Sequence, residues 1–379
     1  MPAPQGLPVG LPSVRGFFPV IHSSISLKAI ISPLVSWEQF MHSQRHEGHI
    51  PYEASQVVFG SRDYYVYCLD EEGNLMWRFR TGNAIEYATP TLDHAATVFI
   101  TSNDRYLYVL NDDGTLRFRI LLDDISYFSP AVDVATGDFF VASYSSVRKF
   151  RFDGTLLFTY AQSDLVTHVT LSEERLYVAA YYNKLLALSK KDGSLLYAFT
   201  TDGFIFNSSP TVYDEKIFIG DFQFYLYCVD SQGVLEWKFH AEGEIYASAS
   251  LTEEEIFFGD ALGFFFSLSY NGTENWHIEL PDLIWATASI SLSSHTSSPF
   301  LYVGCEDYRL YCIRDGEIIF SFLAGNIIES SPAGDKQNVF FGSHDYYLYC
   351  ISEDGSLRWK FLTGDIIESS PSLFASSLL

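Results

Sequence analysis

The chain has 379 residues, a formal net charge of −24, and 47% hydrophobic and 17% aromatic residues. Length alone permits two or three domains, and the apolar content is ample for a large core. The acid excess argues against a nucleic-acid or anionic-membrane surface, since both require clustered Lys and Arg. It suits solubility and a basic partner.

Residues 1–36 form a lead-in whose structure the sequence leaves open. The apolar run 17–35 is broken by Pro19, His22, Lys28 and Pro33, which argues against a transmembrane helix. It lacks the basic start and small-residue cleavage site of a signal peptide. A flexible lead-in, an atypical targeting segment and a misassigned start all remain open. Next come His42, His46 and His49, with Glu47 among them. On a helix these spacings would put the imidazoles on one face, a metal-binding pattern. Gly48 and Pro51 favour a polar loop instead.

From about Gln56 to the end the chain repeats one pattern eight times, with a period of roughly 40 residues. Each copy reads as four short strands A to D separated by turn signals, the signature of a propeller blade. The B strands are expected to begin near Val57, Val98, Phe139, Leu176, Ile217, Ile256, Leu301 and Val339. The C–D turns carry Gly73, Gly114, Gly154, Gly193, Gly233, Gly272, Gly316 and Gly355. In most copies Asp or Asn precedes the glycine, a pairing that supplies the positive φ angles of a tight hairpin. Four residues after each glycine stands an aromatic: Trp77, Phe118, Phe158, Tyr197, Trp237, Trp276, Phe320 and Trp359. One ring per blade at a fixed position predicts packing between neighbouring blades.

The phasing predicts how the ring closes. The first B–C–D set lacks an A strand in front of it, and the last A strand, 369–374, is free to fill that gap. The expected fold is therefore all-β: one eight-bladed propeller over residues 37–379, with no unpaired ring end.

In a propeller the D–A and B–C loops share one face. The residues opening the A strands differ between blades: Tyr87, Tyr127, Val166, Asn207, Tyr246, Trp285, Glu329 and Glu368. They are expected to ring the channel mouth, either as a binding surface for a peptide or sugar or as rings packed between blades. The B–C turns add Arg62, Tyr64, Tyr144, Tyr181, Phe222, Phe224, Phe264, Tyr308 and His344. Asp63, Asp104, Asp307 and Asp345 recur in these turns and are expected to accept bonds from their own turn backbone. Cys68, Cys228, Cys312 and Cys350 share one C-strand position, and Cys305 ends a B strand. Equivalent positions in different blades lie too far apart to bridge, so all five are expected to be reduced and buried. Asn207 and Asn271 match glycosylation acceptors but fall in strand or turn positions of the repeat.

The units 69–77, Leu-Asp-Glu-Glu-Gly-Asn-Leu-Met-Trp, and 229–237, Val-Asp-Ser-Gln-Gly-Val-Leu-Glu-Trp, resemble the tryptophan-docking motif of PQQ-like β-propeller repeats. The segment from Trp37 to Tyr52 resembles the lead-in of bacterial members. That family includes quinoprotein alcohol and sugar dehydrogenases and non-catalytic scaffolds such as the lipoprotein of the outer-membrane β-barrel assembly machinery. The dehydrogenases are longer, carry insertions, and in the alcohol enzymes hold adjacent cysteines. This chain has no adjacent Cys pair, and its one sizeable insertion is 291–299.

The expectation is a non-enzymatic, monomeric platform that binds a protein or peptide on the D–A and B–C loop face, with no cofactor. A PQQ-dependent oxidoreductase, with calcium, and a carbohydrate or small-ligand receptor at the channel mouth are the alternatives. The resemblance implies a periplasmic or cell-surface protein. The cysteines and the unconvincing leader imply the cytoplasm, and no Cys stands before Cys68 where the lipoprotein carries its anchor.

Overall fold

A computed structural model describes residues 54–133, 135–165, 167–291 and 298–375. The lead-in 1–36, the His42–His49 stretch, Val166 and most of the 291–299 insertion lie outside them. The described residues form 32 strands, all paired antiparallel in eight four-stranded sheets. Seven blades are continuous in sequence, covering 91–121, 131–161, 170–200, 211–240, 250–279, 289–323 and 333–362. Blade one is composite. Its B, C and D strands are Gln56–Gly60, Tyr65–Leu69 and Leu75–Arg80, and its inner strand is the C-terminal Ser372–Phe374. The pairing runs Gln56 with Phe374, Val57 with Leu373 and Val58 with Ser372, the closure that the phasing predicts.

Each D strand alternates exposed and half-buried residues, as Leu235–His240 does, because it is the outer edge of its sheet. One inward ring in every D strand, and in several a second, reaches the following blade. The first is the Gly-plus-four aromatic. The Trp77 ring would lie 2.5 Å from a Cβ on Gly114, and that of Trp359 2.6 Å from one on Gly73. All eight rings make this contact, so glycine is required there by close approach as well as by its positive φ. The indole N–H groups of Trp77, Trp237 and Trp359 donate to the carbonyls of Asp112, Tyr270 and Glu71, at 2.8, 3.0 and 2.9 Å. The second ring, two residues on, packs edge-on against the next blade's C strand: Phe239 on Phe266 at 5.4 Å, Phe322 on Tyr349 at 5.5 Å, Phe361 on Tyr67 at 5.6 Å.

The C–D turns need one correction. Only in blade seven do both turn residues have positive φ, Asp315 at 52° and Gly316 at 76°. There Arg314 pairs directly with Glu317, a two-residue hairpin. Elsewhere glycine alone is left-handed; in blade one Gly73 N donates to Asp70 O at 3.1 Å and Asp70 N to Asn74 O at 3.0 Å. This is a wider turn ending in a glycine bulge. Where Asp or Asn precedes the glycine of these turns it serves the turn through its side chain, as Asp113 Oδ1 accepts from Thr115 N at 2.9 Å; beside Glu72 and Gln232 it is Asp70 and Asp230 that accept. The shorter turn of blade seven lacks the loop carbonyl that Trp77, Trp237 and Trp359 find in their neighbours. Trp276, which docks on Gly316, makes no such bond among the described residues.

The last inner strand is also shorter than expected, Ser372–Phe374 rather than 369–374. The residues before it bond through hydroxyls: Ser369 Oγ accepts from Gly60 N at 3.1 Å and donates to Ala88 O at 2.7 Å. All five cysteines are buried and unbridged.

Candidate ligand-binding face

The B–C turns position this face. Six blades hold a non-glycine residue at positive φ at one equivalent turn site: Tyr64, Arg105, Asn183, Phe224, Tyr308 and Tyr346. Such a conformation costs on the order of 1–2 kcal/mol for a side chain with a Cβ. Blade six has the unstrained solution, Gly263. Each left-handed residue offers its carbonyl to the chain leaving the D strand, as Tyr64 O accepts from Thr81 N at 2.8 Å. Three of the rings, Tyr64, Tyr308 and Tyr346, are exposed.

The recurrent turn aspartates do more than cap their own turns. Asp63 Oδ1 accepts from Tyr65 N at 3.1 Å, while Oδ2 accepts from Tyr67 Oη at 2.5 Å and from Gly364 N of the preceding blade at 2.7 Å. Asp104 and Asp345 repeat this clasp through Gly82 and Gly325. In blades five and six the acid stands two residues earlier, as Asp221 and Asp260. Their Oδ2 atoms still accept from Gly203 N and Gly243 N, at 2.7 and 2.8 Å. Counting positions from the sequence misses these two.

Below the mouth, side chains of successive inner segments bond in a girdle around the channel. Thr89 N donates to Ser129 Oγ at 2.7 Å, Ser129 N to His168 Nδ1 at 2.7 Å, and His168 N to Ser209 Oγ at 3.4 Å. The series continues through Ser248, Thr287, Ser331 and Ser370, at 2.8, 3.2, 2.9 and 3.0 Å. This is the physical content of the repeated Ser-Ser-Pro pattern. Six of these residues line a channel cavity together with Tyr87, Asn207, Trp285 and Glu329. Its volume is about 40 Å³, room for a few water molecules.

The mouth above it is roofed by rings. Trp285 stacks on Tyr246 at 4.6 Å and on Tyr87 at 6.2 Å, which joins loops from well-separated blades. Phe206 meets Trp285 edge-on at 6.3 Å, and Phe222 meets Tyr246 at 5.0 Å. The rings continue outward: Phe204 stacks on Tyr181 at 5.0 Å, and Tyr182 abuts both. At this end they are exposed, Tyr182 by 59% and Phe204 by 47%, and Leu262 adds an apolar group 58% exposed. The result is an aromatic shelf over blades four to six. Tyr182, Phe204, Phe206 and Leu262 stand outside the A-strand-opening set and were not ranked from sequence.

Blades seven, eight and one present charge instead. Arg62 Nε contacts Glu368 at 2.8 Å and Glu86 at 3.6 Å. His344 Nε2 lies 3.4 Å from Glu329 and 3.6 Å from Glu368. Burial pushes the Glu368 carboxyl up to about 7, with Arg62 opposing and Glu329 adding to the rise. Burial, then Glu329, also raises Glu306.

Of the predicted mouth set, then, Tyr87, Asn207, Trp285 and Glu329 line the cavity, and Tyr246 completes the roof. Glu368 is buried in the acidic arc. Tyr127 stands apart, edge-on to Tyr144 at 5.7 Å.

The family model described as outer membrane protein assembly factor BamB matches residues 143–282. With eight blades locked by the Gly-x3-aromatic contact, the assignment follows. The chain is an eight-bladed β-propeller in which residues 143–282 match PQQ-like repeats. Solved structures similar to this propeller include BamB from Moraxella catarrhalis, at 14% identity and TM-score 0.61 over 82% of this chain and 95% of that one. The computationally designed Ika8 protein matches at 12% and 0.63, over 85% and 98%. The dihydro-heme d1 dehydrogenase NirN in complex with DHE matches at 12% and 0.67, over 85% and 75%. At these identities the likeness is one of fold. No curated protein matches the sequence. No helix among the described residues is long and apolar enough to cross a membrane.

Proposed function

We propose that this propeller is a non-enzymatic platform whose loop face binds an extended protein segment carrying apolar and basic residues. The observation that carries the reading is the one-sided shelf of Tyr182, Phe204 and Phe206, exposed by 36–59% and continuous with the stacked roof through Tyr181 and Trp285. Contiguous exposed rings of this kind mark interaction sites. The basic component follows from charge: the arc of Glu86, Glu306, Glu329 and Glu368 adjoins the roof on a chain of net charge −24. The strained turns at Tyr64, Tyr308 and Tyr346 support the same face, because they hold exposed rings where glycine would cost less. The girdle supports the surface over the channel, since its hydroxyl oxygens are already engaged by backbone N–H groups of the adjoining segments. The name of the matched family, an assembly factor for outer membrane proteins, is in keeping with a scaffold.

Selection from a displayed peptide library tests this. The expected ligands combine aromatic or aliphatic residues with Lys or Arg, and they lose at least ten-fold in affinity on Tyr182→Ser/Phe204→Ser. No enrichment, or ligands that bind the double variant unchanged, would refute the proposal. Glycans bound by the wild type would favour the sugar-receptor alternative. The pair Tyr246→Ala/Trp285→Ala is a poorer probe, because those rings are half-buried and hold the roof together.

A further inference from the structure

Glu329, His344 and Glu368 come from three successive loops of the acidic arc, and neither the fold nor the shelf explains their convergence. One ligand atom of each lies within 4.8 Å of the others. His344 Nε2 is 3.4 Å from Glu329 Oε2 and 3.6 Å from Glu368 Oε1. Yet Glu329 Oε2 and His344 Nε2 are buried without a hydrogen-bond partner. They approach at ion-pair distance in a geometry no hydrogen bond fits, an arrangement costly for buried polar atoms.

A cation between them would resolve this. Donors bound at about 2.0–2.1 Å to a tetrahedral ion stand about 3.3–3.4 Å apart, close to the 3.4 and 3.6 Å separations here. The local charge agrees. Glu86 and Glu368 flank the Arg62 guanidinium, and Glu306 adds its charge beside Glu329 and His344. Arg62 occupies Glu368 Oε2 at 2.8 Å, which leaves Oε1 to face His344. Orienting a ligating carboxylate in this way is an outer-shell role. We propose that Glu329, His344 and Glu368 form a divalent-metal site at the channel mouth, suited by its nitrogen and oxygen donors to zinc, with a fourth position left for water or a partner group.

The test is calorimetric titration of zinc chloride into the chelator-treated full chain, beside Glu329→Gln and His344→Gln. The expected result is one wild-type site weakened at least 100-fold in both variants. A thermal melt without metal establishes that each variant is folded. As a second readout on the wild type, cobalt(II) should give the visible absorption of a four-coordinate site. Absence of stoichiometric uptake by the wild type would overturn the proposal. So would uptake unchanged in His344→Gln, which would place the ion at another histidine cluster such as His42, His46 and His49.

Discussion

Replacing Trp359 by Ala tests the lock that closes the ring. Trp359 joins blade eight to blade one, at the seam where Ser372–Phe374 also completes the first sheet. The ring is half-buried against Gly73, so its loss falls at the low end of the usual range for such truncations, about 3 kcal/mol. At about 2 °C per kcal/mol for a chain of this size, the melting temperature should drop by roughly 6 °C. Trp359→Phe keeps most of the packing and loses the 2.9 Å bond to Glu71 O, a cost of about 1 kcal/mol or roughly 2 °C. Trp276→Phe supplies the internal control, since Trp276 makes no such bond and should lose less than Trp359→Phe. Differential scanning calorimetry reads all three. A Trp359→Ala melt within 1 °C of wild type, or a Trp276→Phe loss as large as that of Trp359→Phe, would refute the reasoning.

Further outcomes follow from the same contacts. Asp104→Ala removes the acceptor of Tyr106 N and of the Tyr108 hydroxyl, while Gly82 N keeps its bond to Tyr108 Oη, and should cost about 1–3 kcal/mol by denaturant titration, whereas Asp113→Ala, in an exposed turn, should cost under about 1 kcal/mol. Glu368 has a raised folded-state pKa of about 7, so its contribution to stability is full below its unfolded value and is lost as pH rises through 7. Melts between pH 4.5 and 8 should show wild type falling relative to Glu368→Gln over that window, and parallel curves would contradict the assignment. Burial pushes the five thiols up to about 12, so a thiol reagent at pH 8 should react with none in the folded protein and with five in denaturant.

The repeat made the fold legible because each blade restates the same few requirements. A glycine at a tight close approach, a ring four residues later and alternating inner strands leave little freedom. The missing first A strand even gave the closure. What escaped was whatever depends on the third dimension between blades. Asp221 and Asp260 took over the clasp from a position two residues away, which a count along the chain cannot see. Glu329, Glu368 and His344 were each placed on the correct face, the glutamates in the D–A loops and the histidine in a B–C turn. Their convergence depends on how adjacent blades splay. The mouth aromatics share one position in the repeat, yet packing divides them. Trp285 reaches Tyr87 across the channel, while Tyr127 turns away to Tyr144. The exposed shelf was overlooked because Tyr182 and Phe204 fall outside the position that opens each A strand.

The most direct measurement of the central claim is hydrogen–deuterium exchange of the full chain, alone and with a peptide selected as above. The account predicts slowed exchange in the loops 181–183, 202–207 and 261–264, with the C–D turns on the opposite face unchanged. Protection confined to those C–D turns or to the outer D strands, with the shelf loops unaffected, would contradict it.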